Sequence, residues 1–279
     1  MHLQRPGASI RARPFFLVAD DKAVPERQAA AMFELSLNGA TARLALNRPA
    51  ALNAIAIDGW FQLASAADEA VGSGARALIV SSAPGGAFSA GADISEFDSF
   101  RDDAEARSAF RRAMRHGLDT LADLPIPTIA LVEGACFGAG VALAMACDIR
   151  VAGPKARFAI TPAKLGVAYP QEDVYRLVSL VGPGQASRLL FGAEIIDARE
   201  AARIGLVEWA IEGEAEPAVE PFAAAVAAND EESLRVLKRA VRLASLGTSQ
   251  DEGQDRAFES LLGSEAVTER LAAHRSRRK

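Results

Sequence analysis

TIALVEGACFGAGVALAMACD, residues 128–148, is the stretch on which the reading of the fold turns. Thr128–Val132 is apolar and partly β-branched, the signature of a short buried strand. Gly134, Gly138 and Gly140 follow in a corner of small residues, and 141–146 is a run of Val, Ala, Leu and Met dominated by good helix formers. Strand, glycine corner and helix together leave backbone N–H groups free at a helix N-terminus, where they can hold negative charge. The same residues also suit a close-packed turn in which glycine merely lets two backbones approach. The stretch alone leaves both readings open.

Residues upstream favour the first. Residues 84–94, PGGAFSAGADI, are small and glycine-rich and end on an acid. They lack the Gly-Lys-Ser/Thr of a phosphate loop, and Ser89 lacks the G-x-S-x-G frame of a nucleophile elbow. What they can offer is a second backbone N–H, near Ala92, to converge with one from the Gly134–Gly140 corner; two such donors make an oxyanion hole.

The surrounding pattern is that of an α/β protein. Phe33, Leu35 and Leu37 alternate with polar residues, as do Ala42, Leu44 and Leu46, and Asn38-Gly39 between them predicts a hairpin that Pro49 ends. Residues 58–71 read as a helix with Trp60, Phe61, Ala64 and Ala67 on one face, and 77–82 as another buried strand. A long helix is expected over 105–121, then helices over 174–181, 186–191 and 198–204, a short strand within 206–211, and helices over 221–228, 231–245 and 254–273.

Composition bounds the function. The chain has 279 residues, half of them hydrophobic, and a formal charge of −5, which argues against a general nucleic-acid binder. No apolar run reaches the roughly 18–20 residues that span a bilayer. Cys136 and Cys147 are too few for a disulfide framework and read as small buried apolar residues, so a reducing, cytoplasmic setting is expected. His2, His116 and His274 are scattered, and no metal site is expected. Asp98, Asp102 and Asp103 read as a solvated face, and Glu133 as structural. Residues 1–31 show no periodicity and are expected to be a disordered tail or a start assigned too early, since Met32 opens the first regular pattern.

Taken together, NRPAALNA (47–54), GAFSAGADI (86–94), VEGACFGAGVALAMACDIRVAG (132–153), ARF…PAKLG (156–166) and LVGPGQASRLLFGAEIIDAREAARIGLV (180–207) resemble the enoyl-CoA hydratase/isomerase (crotonase) superfamily. The resemblance runs from Met32 onward. It implies an α/β fold, a crotonase-like spiral of ββα turns over residues 32–213, followed by a helical region over 214–279 that forms trimers or dimers of trimers. It also implies a coenzyme A thioester as substrate, with no covalently bound cofactor, while the acidic balance and the lack of a long apolar run leave no nucleic acid and no membrane expected as partner. By matching motifs, the thioester oxygen would accept N–H bonds from Ala92 and Ala139. Contacts to coenzyme A would fall on Ala50, Ala51, Leu52, Ala90, Asp93 and Ile94, with Ala50 standing where a basic residue is usual.

The acid/base residues depart from the family pattern. The two glutamates that hydratases of this family use correspond to Ala142 and Ala163. A methyl group transfers no proton, and such help contributes typically ~10²–10⁴-fold. The replacements suggested by the resemblance lie in the next loop: Glu172, with Asp173 and Tyr169 beside it. Both acids are equally suited to the first turn of a helix. Three functions follow from these residues: an acyl-CoA enzyme stabilising a thioester enolate, a CoA-thioester-binding protein without chemistry, and an RNA-binding protein, the last disfavoured by the acidic balance.

Overall fold

The computed structural model describes residues 31–83 and 86–276; the expectation for residues 1–31 therefore lies outside it except at Ala31. Strands β1 (Phe33–Asn38) and β2 (Thr41–Leu46) form the expected hairpin, with Phe33 opposite Leu46 and Asn38 opposite Thr41. The loop is Gly39-Ala40 rather than Asn38-Gly39. Gly39 takes φ +61° at the first central position, where a two-residue hairpin turn admits glycine, and Asn38 completes the strand.

Helix α1 (Ile57–Gly72) leads to β3 (Ala77–Ser82), and α2 (Ala104–Asp123) to β4 (Thr128–Val132). The quoted stretch becomes β4, β5 (Ala135–Phe137) and α3 (Ala139–Ala146), and β6 (Ile149–Ala152) and β7 (Arg157–Ala159) follow. Then come α4 (Gln171–Gly192), β8 (Ile196–Asp197), α5 (Ala198–Arg203) and β9 (Trp209–Ala210). Four helices close the described chain: α6 (Glu216–Ala227), α7 (Glu231–Ser245), α8 (Glu252–Leu262) and α9 (Glu265–Ser276).

A six-stranded sheet has the order β1-β2-β3-β4-β6-β9, antiparallel at the hairpin and parallel from β2 onward. A second sheet, β5-β7-β8, stands apart from it. Each parallel step needs a crossover, and α1, α2 and α3 supply the first three. Strands covered on both faces must be apolar throughout, and β4 is buried at every residue. One face packs into the large core that includes Leu44, Trp60, Leu78, Leu118 and Leu143. The other carries Ile79, Ile129, Leu131 and Val151 against Val219 and Ala223 of α6. Helix α6 thus lies past residue 214 and still covers the main sheet.

Asp148 ties the end of α3 to the start of β4: its Oδ2 accepts from Thr128 N at 2.7 Å and from Thr128 Oγ1 at 3.0 Å. Lys238 of α7 reaches the same carboxylate at 2.8 Å. Both cysteines are buried, as read, and desolvation pushes the Cys147 thiol up to about 12.

Several boundaries differ from the periodicity. Phe61, expected on the buried face of α1, is 50% exposed and meets the ring of His116 on α2 at 5.7 Å. The expected helices 174–181 and 186–191 are parts of α4, which kinks at Gly182 just before Pro183. Helix α6 begins at Glu216, five residues ahead of expectation, because Pro217 falls in its first turn, where no N–H is needed. The expected helix 254–273 is two, α8 and α9, divided at Gly263-Ser264. Among the described residues no helix is long and apolar enough to cross a membrane.

Candidate active site

The loop of residues 86–94 is stitched to three neighbours. Ser89 N donates to Ala135 O at 3.0 Å, and Phe137 N to Ser89 O at 2.9 Å. Ala90 N donates to Leu52 O, Asp93 N to Ile55 O, and Ile55 N to Gly91 O at 2.7–2.9 Å. The hydroxyl of Ser89 donates to Asn53 O and accepts from Gly91 N. The amides of residues 89, 90, 91 and 93 are therefore all engaged. Between residues 89 and 93, Ala92 N alone has no acceptor among the described residues.

The glycine corner carries two further free amides. Gly138 N donates to Ala159 O at 2.9 Å, and Val141 N and Ala142 N both donate to Gly138 O. Ala139 N and Gly140 N, the first two amides of α3, have no acceptor among the described residues, as expected for a helix N-terminus. Two close approaches bring corner and loop together. A Cβ on Gly91, whose φ is +105°, would lie 2.8 Å from Phe137 O and 3.2 Å from Ala139 N. A Cβ on Gly140 would lie 2.7 Å from Ser89 O. The amides of Ala92 and Ala139 thus flank a close backbone contact between loop and corner, and Ala92 is only half-buried. Preorganised N–H groups of this kind stabilise charge that develops on an acyl oxygen.

The residues expected to contact coenzyme A lie along the same loop and the turn Pro49–Ala51 that precedes Leu52. Ala50 is exposed and Ala51 and Ala90 half-buried, while Leu52 and Ile94 are about 60% exposed, so an apolar lip faces solvent there. Asp93 differs. Its side chain is buried, accepts from Arg48 at 2.6 Å and caps Ser95, so it braces the loop and leaves its backbone as the available contact. Burial works against its ionisation, but the hydrogen bonds from Ser95 and Arg48 prevail and hold its pKa below the ordinary value. Ser89, Asn53 and Arg48 are the supporting residues that sequence reading passed over. The only signal for them was an Asn-containing turn after Arg-Pro, which here places Leu52 and Asn53 at positive φ.

The loop carrying Tyr169, Glu172 and Asp173 is divided by the fold. Tyr169 comes to the corner, its hydroxyl donating to Gly138 O at 3.0 Å. With Ala163 it shares the wall of an apolar cavity of about 230 Å³ that also includes Ile160 and Leu190. Ala142 is fully buried on α3. Asp173 is also fully buried, but it faces Arg115 of α2 at 3.0 Å and Arg176 at 3.4 Å. Desolvation raises its pKa in spite of both cations. It is a structural ion pair between α2 and α4, not a free base. Glu172, expected as the acid/base, is exposed and lies 3.9 Å from Arg111. It lines a different cavity, of about 640 Å³, with Met145, Ala146, Lys238 and Arg242. That cavity sits over the C-terminal end of α3, about 10 Å along the helix from Ala139 at ~1.5 Å per residue. Where a free acid/base was expected, α4 therefore sets Glu172 beside Arg111 and Asp173 on Arg115 and Arg176, and of the three residues only Tyr169 hydrogen-bonds to the corner among the described residues.

Glu133 is half-buried, accepts from the Lys155 amide and stands where a Cβ on Gly153 would be, so its part is structural. Phe97, Phe100 and Phe110 form an aromatic cluster beyond Ile94, with centroids 5.2–5.7 Å apart.

The sequence profile of the enoyl-CoA hydratase/isomerase family matches residues 36–279. The chain is 32% identical over 249 residues to the enoyl-CoA isomerase/hydratase claC of Penicillium crustosum, covering 84% of this chain and 28% of that protein. It is 34% identical over 239 residues to the short-chain-enoyl-CoA hydratase of Clostridium acetobutylicum, covering 81% of this chain and 85% of that one. The crystal structure of an enoyl-CoA hydratase/isomerase family protein from Hyphomonas neptunium superposes with a TM-score of 0.84 at 35% identity, over 88% of this chain and 95% of that one. The chain spans less than half the length of the first curated relatives it matches.

Proposed function

The chain belongs to the enoyl-CoA hydratase/isomerase family, and we propose that it acts on a coenzyme A thioester whose oxygen is held between the N–H groups of Ala92 and Ala139. The observation that carries this reading is the amide inventory. Where the two segments meet around Gly91, the neighbouring backbone donors of the loop are engaged, while Ala92 N and Ala139 N are free. Enolate charge on the thioester oxygen would be met there by fixed dipoles.

Water addition through paired carboxylates finds no support, because Ala142 and Ala163 stand at the two positions concerned. Asp173 is ion-paired and Glu172 lies over another cavity. The geometry favours reactions in which the enolate arises by breaking a bond other than C–H: decarboxylation, which releases CO2, or hydrolytic cleavage of a 3-oxoacyl-CoA, in which water adds to the 3-oxo carbon and the acyl fragment leaves as a carboxylic acid, the enolate carbon in both cases taking its proton from water. The two alanines equally favour a second reading, a protein that binds CoA thioesters without turning them over. Of residues 214–279, we propose that the helices past α6, which itself covers the main sheet, serve self-association. Leu237, Val241 and Leu246 on and just past α7, with Phe258 and Leu262 on α8, are each about 60–70% exposed in the single chain, and a homotrimer or hexamer would cover them.

The test is calorimetry with acetyl-CoA, followed by turnover of crotonyl-CoA, malonyl-CoA and a 3-oxoacyl-CoA. Binding with turnover of either of the last two supports the enolate reading, and binding without any turnover supports the second. Absence of binding at millimolar ligand refutes both.

A further inference from the structure

We infer that Tyr169 is a positioning residue that strengthens the Ala139 N–H donor by hydrogen-bonding to the carbonyl of the same peptide unit. The inference rests on the reading of Ala92 and Ala139 as the donors to a thioester oxygen.

Gly138 C=O and Ala139 N–H belong to one planar, trans peptide, so the two groups point in opposite directions. A donor on the carbonyl draws electron density away from the nitrogen and makes the opposite N–H a better donor; chains of hydrogen bonds polarise one another by roughly 10–30% per bond. Gly138 O receives three donors: Val141 N at 3.0 Å, Ala142 N at 3.3 Å and Tyr169 Oη at 3.0 Å. The first two are the ordinary opening bonds of a helix. The third comes from outside the helix and from a loop 31 residues away. Its direction is fixed by chemistry, because a carbonyl can only accept.

Tyr169 is held for this task. Pro170 follows it and restricts its backbone to extended conformations. Pro170 also starts α4, whose first turn is anchored by the buried Asp173–Arg115 pair. The ring packs against the same core as Ala92. Burial, and secondarily the Asp173 charge, pushes the phenol's titration well above its usual range, so the hydroxyl carries its proton at neutral pH. The hydroxyl therefore needs no proton-transfer role to matter.

The experiment uses the full chain and crotonyl-CoA carrying ¹³C at the thioester carbonyl. In the parent protein the infrared carbonyl band of the bound ligand should move to lower frequency than in solution. In Tyr169→Phe the affinity should stay within about threefold, while the band moves part of the way back. For whichever acyl-CoA is turned over, kcat should fall about two- to eight-fold with KM little changed, this being a tenth to three-tenths of the two to three decades that one such donor contributes. A residue that only fills space would leave band and kcat unmoved. Should Tyr169→Phe fold poorly, 3-fluorotyrosine at position 169, a more acidic phenol, should shift the band further than the parent does. An unchanged band in both altered proteins overturns the inference while leaving the donor pair intact. A parent that binds the ligand with no band shift overturns the donor pair, and the inference with it.

Discussion

Replacing Gly91 with alanine probes the close approach on which the donor pair depends. Gly91 has φ +105°, a conformation that L side chains rarely adopt, and its new Cβ would stand 2.8 Å from Phe137 O and 3.2 Å from Ala139 N. Neither atom is the end of a flexible side chain, and Phe137 N is bonded to Ser89 O, so the corner cannot simply swing aside. Backbone strain of about 1–3 kcal/mol and overpacking of about 1–3 kcal/mol together predict a loss of about 2–6 kcal/mol. At about 2–4 °C per kcal/mol for a chain of this size, calorimetry should show the melting temperature lower by about 5–20 °C. Relief by a few tenths of an ångström would part the Ala92 and Ala139 amides, and turnover should fall by up to about 10²–10³-fold, the worth of one such donor. Gly184→Ala is the control, for nothing lies within 4 Å of its Cβ position and its φ is not positive. The reasoning is refuted if Gly91→Ala melts within about 1 °C of the parent and retains its acyl-CoA affinity and turnover, ~1 °C being far below the strain just estimated.

Three further predictions concern other parts of the chain. Ala139→Pro places proline at the first position of α3, where a helix tolerates it, and deletes the donor: kcat should drop by about 10²–10³-fold while free coenzyme A still binds, and steady-state kinetics showing full turnover would exclude Ala139 as a donor. Neither Cys136 nor Cys147 should react with a disulfide reagent at pH 8 before denaturant is added, because both thiols are buried and pushed up, Cys147 to about 12; a fast-reacting thiol in the folded protein would contradict the core described here. Hydrogen bonds from Arg203 and Arg188 hold Glu200 down to about 2 from an ordinary 4.5, so the stability it contributes is complete above 4.5 and is lost as the pH falls toward 2. Glu200→Gln should accordingly melt below the parent at pH 7, with the gap closing between pH 4.5 and about 2; a gap of constant width would deny the linkage.

The fold was legible where the code is local. Strand periodicity gave β1 and β2, short runs that are mostly apolar gave β3 and β4 to the residue, and the corner at Gly138 and Gly140 marked the start of α3. The two amides proposed as donors were legible as free groups for the same reason: a free amide at a glycine corner needs no particular side chain, and neither Ala92 N nor Ala139 N has an acceptor among the described residues. Helix ends were less legible. A kink at Gly182 and a break at Gly263 leave the apolar spacing on either side almost unchanged, and a proline such as Pro217 reads as a breaker until its place in the first turn is known.

What only the tertiary structure decided is which way side chains face once helices are packed. Glu172 and Asp173 are adjacent in sequence, yet on a helix neighbours stand about 100° apart, at 3.6 residues per turn. Packing against α2 buries Asp173 on Arg115 and turns Glu172 over a cavity at the far end of α3. Tyr169, four residues before Asp173 and outside the helix, is the one member of that loop that reaches the corner. Sequence determines which backbone groups a glycine corner sets free, because that is a property of neighbouring residues. Which side chains stand beside those groups depends on contacts between segments 30 to 60 residues apart, such as Tyr169 with Gly138 and Asp173 with Arg115, and local periodicity does not encode contacts at that separation.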